Sequence, residues 1–422
     1  MQELTGASIV VALLATVAVA APTEVLVSPR PMLRPDRATH DVTPASATNK
    51  TLGFQDWLTR FRPRARAAGI NPRVLASALR GVRFDTDVVR RDRSQSEFTK
   101  TIWDYLDSAV SELRISNGKA ALRAQQSALD QIERKYGVDK QVVVAIWGLE
   151  SAYGTFRGKT PIIQALASLA FDARRAEFFE EQLIAALRIL QSGDTTAARM
   201  TGSWAGAMGH TQFMPGSYLD YAVDFTGDGR RDIWSDDPRD ALASAAAYLK
   251  AHGWIKGQPW GVEVRLPGGF DYLLANRSIT RSPGAWAGIG VLGLDGKAVP
   301  DHGKAAILLP AGADGAAFMI FDNFAVIEAY NTADAYVIGI GHLADRIMGA
   351  GPLRAAWPRK GRALSYDERI ELQNRLTRAG FDTQKIDAKI GPLTIAAVRA
   401  FQVANGLVPD GYASLELLKQ LR

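Results

Sequence analysis

The run Val142–Leu149, VVVAIWGL, is apolar on every side apart from a single glycine. As a helix it has no solvated stripe, so it must sit inside a packed domain. Glu150 follows at once, at the end of that rod, with Tyr153 and Phe156 close behind. A carboxyl delivered into apolar, aromatic surroundings loses hydration, which favours its neutral form and raises its pKa. That is how a glutamate becomes a general acid near neutral pH. Taken alone, Glu150 reads equally well as a capped, ion-paired or solvated residue at a helix end.

The chain has 422 residues, enough for two or three domains and a substantial core. Its net charge of +6 is dispersed, with no basic block interleaved with aromatics, which argues against nucleic acid as a partner. The charge suits a polymer bearing carboxylates without identifying one. There are no cysteines. That excludes disulfides, thiol catalysis and a lipidated N-terminal cysteine, and it leaves the compartment open.

Ala7–Ala21 is the one long apolar run and, at 15 residues, is short for a membrane span. Ala18-Val19-Ala20 supplies the small residues of a cleavage site, so residues 1–20 are expected to be a signal peptide, although the leading segment carries Glu3 and no Lys or Arg. Residues 21–50, rich in Pro, Ala, Thr and Ser, read as a flexible tether. Helical spacing then appears over Leu52–Arg66, Pro72–Leu79, Phe98–Leu113 and Ala120–Tyr136, with Gly137 as a stop. Pro161–Phe171 and Ala241–His252 are helical, and Asn323–Gly339 reads as one further helix. Between them, Gly261–Leu266, Ala305–Leu309 and Ala317–Phe321 are short β-like runs separated by Gly and Pro. The expected fold is mainly α with a small β-rich lobe, over residues 51–357. Gly349–Gly361 reads as a linker region, with 358–363 joining the body to a separate module over 364–422.

Four strings occur in order: GLESAYG around Glu150, ARRAEFF at Ala173–Phe179, GSWAGAMGHTQFMP at Gly202–Pro215 and EAYN at Glu328–Asn331. Together they resemble the membrane-bound lytic murein transglycosylase B family, over roughly Leu52 to Trp357. The resemblance implies a lysozyme-like helical catalytic domain acting on peptidoglycan, with Glu150 as its acid. It places Arg174 and Arg175 beside the cleft, where Glu177, Glu180 and Glu181 are alternative ion-pair partners. Phe178 is either a core phenylalanine or, by the resemblance, an aromatic that packs on sugar. Three glycines and a proline make Gly202–Pro215 a structured loop. Within it Ser203 and Gln212 can hydrogen-bond hydroxyl or acetamido groups, and Met208 and Phe213 offer apolar surface. The motif match assigns all four to substrate, while His210 stands at a variable position and receives no role. Tyr330, Asn331 and Tyr336 are placed by the resemblance at the cleft floor opposite Glu150. From the residues alone the tyrosines read as core.

Asp224, Thr226 and Asp228, followed by Gly229, repeat the opening of a calcium loop. Ser235 stands where an EF-hand has its bidentate glutamate, so Asp236, Asp237 or Asp240 would have to close the site from a longer loop; the resemblance, through relatives that bind a cation here with a late aspartate, points to Asp240, with Arg230 offering its carbonyl. The other reading is an Asp/Gly-rich turn held by its own side chains. No cofactor is required, and calcium, if bound, is structural.

At the C-terminus LQNRLTRAGF, IDAKIGPLTIAAVRAFQVANGL and DGYASLELLKQL resemble the three-helix peptidoglycan-binding domain of wall enzymes. Gly380-Phe381 to Thr394 is echoed by Gly406-Leu407 to Ser414, and Ala388 replaces the glycine expected after Asp387.

Ordinary glycosidases use two carboxylates. Asp172, Glu177 and Asp220 have no motif support as the second. One carboxylate suits a lytic transglycosylase, in which the C6 hydroxyl of N-acetylmuramic acid attacks its own C1. Competing readings are a hydrolytic muramidase and a non-catalytic wall-binding scaffold. The expected partners are glycan strands and other wall enzymes, the expected location is the periplasm, and the expected state is a monomer.

Overall fold

The computed structural model describes residues 44–93, 100–172 and 174–422, so the expected signal peptide and most of the tether lie outside the described residues. Seventeen α-helices and two small sheets make up the described chain. The mainly helical body, β-rich lobe and three-helix C-terminal domain expected from the sequence are all present.

The helical body begins with α1 (Pro44–Ala67), which takes in the last seven residues of the expected tether. Next come α2 (Pro72–Ala78) and α3 (Thr86–Arg93). The single helix expected over Phe98–Leu113 is instead divided between α4 (Ile102–Ala109) and α5 (Glu112–Ala124). Ser111 causes the division: its side chain accepts a hydrogen bond from the Arg114 N–H and so caps a new helix. α6 (Gln126–Tyr136) ends at Gly137 in the left-handed conformation, as expected.

α7 (Lys140–Ser151) is the apolar rod, with Val142 to Gly148 all buried. Around it pack α5, α6, α11 (Arg239–Ala251) and α14 (Asp334–Ile347). Between α7 and α11 lie β1 (Thr160–Pro161), α8 (Ile162–Phe171), α9 (Ala176–Ser192), β2 (Thr201–Gly202) and α10 (Pro215–Tyr221). The expected helix over Asn323–Gly339 is also two, α13 (Asp322–Tyr330) and α14, separated where Asn331 is extended and its side chain accepts from the Ala333 N–H.

The lobe is a four-stranded antiparallel sheet with strand order β4-β3-β6-β5, formed by β3 (Gly261–Arg265), β4 (Leu292–Gly293), β5 (Ala306–Leu308) and β6 (Ala317–Ile320). Alternation on β5 and β6 sends Ala306, Leu308, Phe318 and Ile320 into the helical core. Ile307, Ala317 and Met319 point instead into a second core with Phe270, Trp286 and Val291. The sheet is therefore buried on both faces. A short helix, α12 (Pro283–Ala287), covers the far side.

Residues 349–361 are not a loose linker. Leu353, Ala355 and Trp357 pack against the helical core, and the Arg354 and Ala355 N–H groups donate to the Glu263 carboxylate. Arg359 makes a two-pronged bond to Asp107.

α15 (Tyr366–Arg378), α16 (Pro392–Ala404) and α17 (Leu415–Gln420) enclose a third core around Leu372, Leu376, Val398, Phe401 and Leu418. The weak internal repeat is physical. Gln373 donates to the Asp387 carboxylate and accepts from the Ala388 N–H. Gln402 does the same with Asp410 and Gly411. Ala388 occupies the left-handed region at φ 59°, where its counterpart is a glycine at 77°.

Candidate active site

Glu150 lies in the last turn of α7, half-buried, and its Oε1 accepts a hydrogen bond of 2.6 Å from the Tyr336 hydroxyl in the first turn of α14. Burial, together with the negative charge of Glu150, pushes the Tyr336 phenol well above its ordinary range, so it stays an O–H donor at any working pH. Tyr330, on α13, donates instead to the Thr211 carbonyl at 2.7 Å. It packs against Phe213 and Tyr248.

After Ser151 the chain turns sharply through three left-handed residues, Ala152, Tyr153 and Gly154. Such a conformation costs an ordinary residue about 1–2 kcal/mol. Burial of Tyr153 opposes that cost. Its ring lies so close to Gly118 and Gly148 that a Cβ on either would come within 2.6 Å of it, and its hydroxyl donates to the Arg114 carbonyl. Tyr153 is thus a wedge beneath α7, while Phe156 is exposed at 37%.

The loop 202–215 reaches α7 through the two-residue ribbon β1–β2, which pairs Thr160 with Gly202. Within the loop, Met208 bridges to both Gly202 and Phe213. The expected substrate role of two loop residues is corrected here: Met208 is fully buried and Phe213 is 2% exposed, so their apolar surface serves the core. Ser203 Oγ accepts from the Ala207 N–H and closes the turn. Gln212, at φ 51°, donates to the Arg157 and Gly209 carbonyls and pins the loop. Asn331 is exposed, as is Phe178 at 40%, whereas its neighbour Phe179 is the core phenylalanine.

Arg174 and Arg175 do not pair with Glu177, Glu180 or Glu181. Both hold Asp92, a carboxylate 1% exposed, at 2.6 and 2.8 Å. Burial alone would push the Asp92 carboxyl up, but the two arginines outweigh it and hold it below the usual carboxylate range. Glu180 is taken by Arg64. Glu328 and Asp334, on the tyrosine-bearing helices, are also committed, since Arg277 binds both.

Asp224, Asp228 and Asp240 present carboxylate oxygens within 4.8 Å of one another. Asp240 is buried and accepts from the Phe225, Thr226 and Asp232 N–H groups. Burial, and the charge of Asp224 beside it, push its carboxyl up. For Asp224, desolvation is outweighed by the Gly227, Asp228 and Gly229 N–H bonds, and its carboxyl sits low. Thr226 points its hydroxyl at Asp224, and the Arg230 N–H caps Asp228. Three clustered carboxylates repel one another, and a hard, oxygen-seeking cation relieves that repulsion. The residues fit such an ion.

His210, which the motif reading leaves without a role, is 3% exposed and heavily bonded. Arg277 was equally unmarked, because its partners lie more than fifty residues away. A separate groove of about 1090 Å³ runs between the lobe, the helical body and the C-terminal domain, lined in part by Arg277, Glu328, Asp334 and Arg399.

The chain matches the family model for the transglycosylase SLT domain over residues 53–345 and that for a putative peptidoglycan binding domain over 365–421. It is 35% identical over 250 residues to membrane-bound lytic murein transglycosylase B of Escherichia coli, a match covering 58% of this chain and 66% of that one. Among solved structures, SltB3 from Pseudomonas aeruginosa in complex with NAG-anhNAM-pentapeptide superposes with a TM-score of 0.85 at 48% identity, covering 87% of this chain and 99% of the other. The Escherichia coli lytic transglycosylase Slt35 in complex with calcium gives a TM-score of 0.60 at 30% identity, over 71% of this chain and 93% of the other. On these grounds the chain belongs to the SLT-domain transglycosylase family, with a peptidoglycan-binding domain at its C-terminal end.

Proposed function

We propose that the protein is a lytic transglycosylase that cleaves the β-1,4 bond between N-acetylmuramic acid and N-acetylglucosamine, with Glu150 as its sole general acid and base. The observation that carries this reading is Glu150 itself, a half-buried carboxylate at the end of a buried helix, oriented by the Tyr336 hydroxyl. Protonated Glu150 gives its proton to the glycosidic oxygen leaving C1 of the muramoyl residue, and oxocarbenium character develops at C1. The resulting carboxylate then removes the proton of the C6 hydroxyl as that oxygen closes on C1. The 1,6-anhydro ring forms, the acid is regenerated and no water is consumed. The hydrogen bond from Tyr336 is strongest to the ionised carboxylate, so it stabilises Glu150 at the stage when it acts as base.

Phe178 and Asn331, both exposed, are proposed to meet sugar and acetamido groups, with Ser203 and Gln212 at the loop. Arg174 and Arg175 stay in part solvent-facing above Asp92 and suit the carboxylates of stem peptides. The ligands of the SltB3 structures, disaccharide pentapeptides with and without the anhydro ring, support this substrate class. Export to the periplasm through residues 1–20, and action as a monomer beside other wall enzymes, complete the reading. Among the described residues no helix is long and apolar enough to cross a membrane.

The test is mass spectrometry of soluble products from purified sacculi. Muropeptides lighter by one water than the hydrolytic products are expected. Reducing-end products would make the protein a muramidase, and binding without release would make it a scaffold.

Calcium is proposed to bind Asp224, Thr226, Asp228 and Asp240, with the Arg230 carbonyl, as a structural ion. Calcium at 100 times its dissociation constant is expected to stabilise the fold by about 2.7 kcal/mol. Thermal unfolding with calcium and then with chelator reads this directly. Asp240→Asn is expected to abolish the difference; an unchanged midpoint in the wild type would return the loop to a self-held turn.

A further inference from the structure

We infer that His210 is a positioning residue for Glu150, clamping the last turn of α7 from both sides of the acid; this rests on the catalytic reading of Glu150 above. Trp147, one helical turn before Glu150, donates its indole N–H to His210 Nδ1 at 3.0 Å. Ser151, immediately after Glu150, donates its hydroxyl to the His210 carbonyl at 2.6 Å and accepts the Gly154 N–H. An indole can only donate, so Nδ1 is the bare nitrogen and Nε2 carries the proton. Nε2 lies 2.7 Å from the Ser235 carbonyl, in the aspartate-rich segment, and 3.2 Å from Arg157 Nη1; the shorter contact is to an oxygen that can only accept, so the proton goes to the carbonyl.

The same carbonyl receives Arg157, which also binds the Trp234 carbonyl and Asp236. The imidazole is thus a neutral, fixed spacer between the acid's helix and the segment 232–236. Burial, with Arg157 beside it, disfavours the charged ring, although the Ser235 carbonyl and the nearby Asp232 and Asp236 pull the other way. The ring lies against Gly154, where an added Cβ would come within 2.5 Å of it. The left-handed glycine that ends the turn after Glu150 is therefore also the seat of the histidine.

Two substitutions separate the two ends of the ring. His210→Asn keeps an acceptor near the place of Nδ1 but cannot reach Ser235. His210→Gln keeps a donor near the place of Nε2 and loses the Trp147 acceptor. If the clamp positions Glu150, His210→Gln in the full chain lowers kcat on soluble glycan strands about 10- to 100-fold with KM within about twofold. His210→Asn, which keeps the Trp147 bond and loses only the Ser235 anchor, lowers kcat less than His210→Gln does. Trp147→Phe lowers kcat as His210→Gln does, and the double variant is no worse than either, because both remove one bond. The Trp147 indole resonance in the NMR spectrum reports that bond without activity. Loss of the indole bond with unchanged kcat in His210→Gln overturns the inference, and so do additive effects in the double variant. Glu150→Gln is measured alongside: if it remains active, the reading of Glu150 fails, whereas an inactive Glu150→Gln beside fully active His210 variants sinks only the clamp.

Discussion

Glu150→Gln is expected to fold as the wild type does and to lose turnover by about 10,000-fold or more, the upper range for a group that acts as both acid and base. The substitution keeps the shape of the side chain, and the amide oxygen can still accept from the Tyr336 hydroxyl now 2.6 Å from Oε1. Nothing in the packing of α7 changes, so the thermal midpoint should stay close to wild type. The amide cannot deliver a proton to a leaving oxygen or take one from the C6 hydroxyl. Digestion of sacculi with the variant should therefore yield no anhydro-muropeptides above background. Turnover within tenfold of wild type would remove Glu150 from the chemistry and send attention to another carboxylate.

The second large effect is on stability, at Gly158→Ala. Gly158 has φ +85°, and a Cβ there would lie 2.1 Å from the Gly202 carbonyl group. Neither partner can give way, because both contacts are backbone and the ribbon β1–β2 fixes their separation. Strain at such a φ costs on the order of 1–3 kcal/mol and overpacking a similar amount, so a loss of roughly 3–5 kcal/mol is expected. That is a large part of the stability of an ordinary domain, about 5–15 kcal/mol. Gly69→Ala is the control: its φ is +88° but open space surrounds it, so only the backbone strain of about 1–3 kcal/mol applies, without the overpacking. Equal losses in the two variants, measured by denaturant unfolding, would show that the loop can slide away from the segment after α7.

The sequence made α7 legible because an all-round apolar run admits one solution, burial on every side. It made the β runs legible because each is a short run set off by Gly and Pro, too short for a helix. The breaks at Ser111 and Asn331 were hidden, since the apolar spacing continues across both and the caps depend on a single polar side chain each. Met208 and Phe213 were misplaced for a different reason. An irregular loop has no period, so nothing local distinguishes a side chain turned inward from one turned to a ligand. The partners of Arg174, Arg175 and Arg277 were out of reach because ion pairs across fifty or more residues leave no trace in local pattern. His210 was set aside as a variable letter within a motif, although its bonds tie three segments together.

The sheet with two covered faces divides the tolerance of the chain to insertion. A one-residue slip along β6 would exchange Phe318 and Ile320 with Ala317 and Met319, bringing the wrong volumes into two cores at once. Added length within the strands is therefore excluded. The connection at 294–304 is largely exposed, so length variation is absorbed there, whereas 266–291 is tied to the helical body through Arg277 and to the C-terminal domain through the Ala275 carbonyl. A longer loop at 294–304 would reshape the outer wall of the lobe while the acid keeps its coordinates.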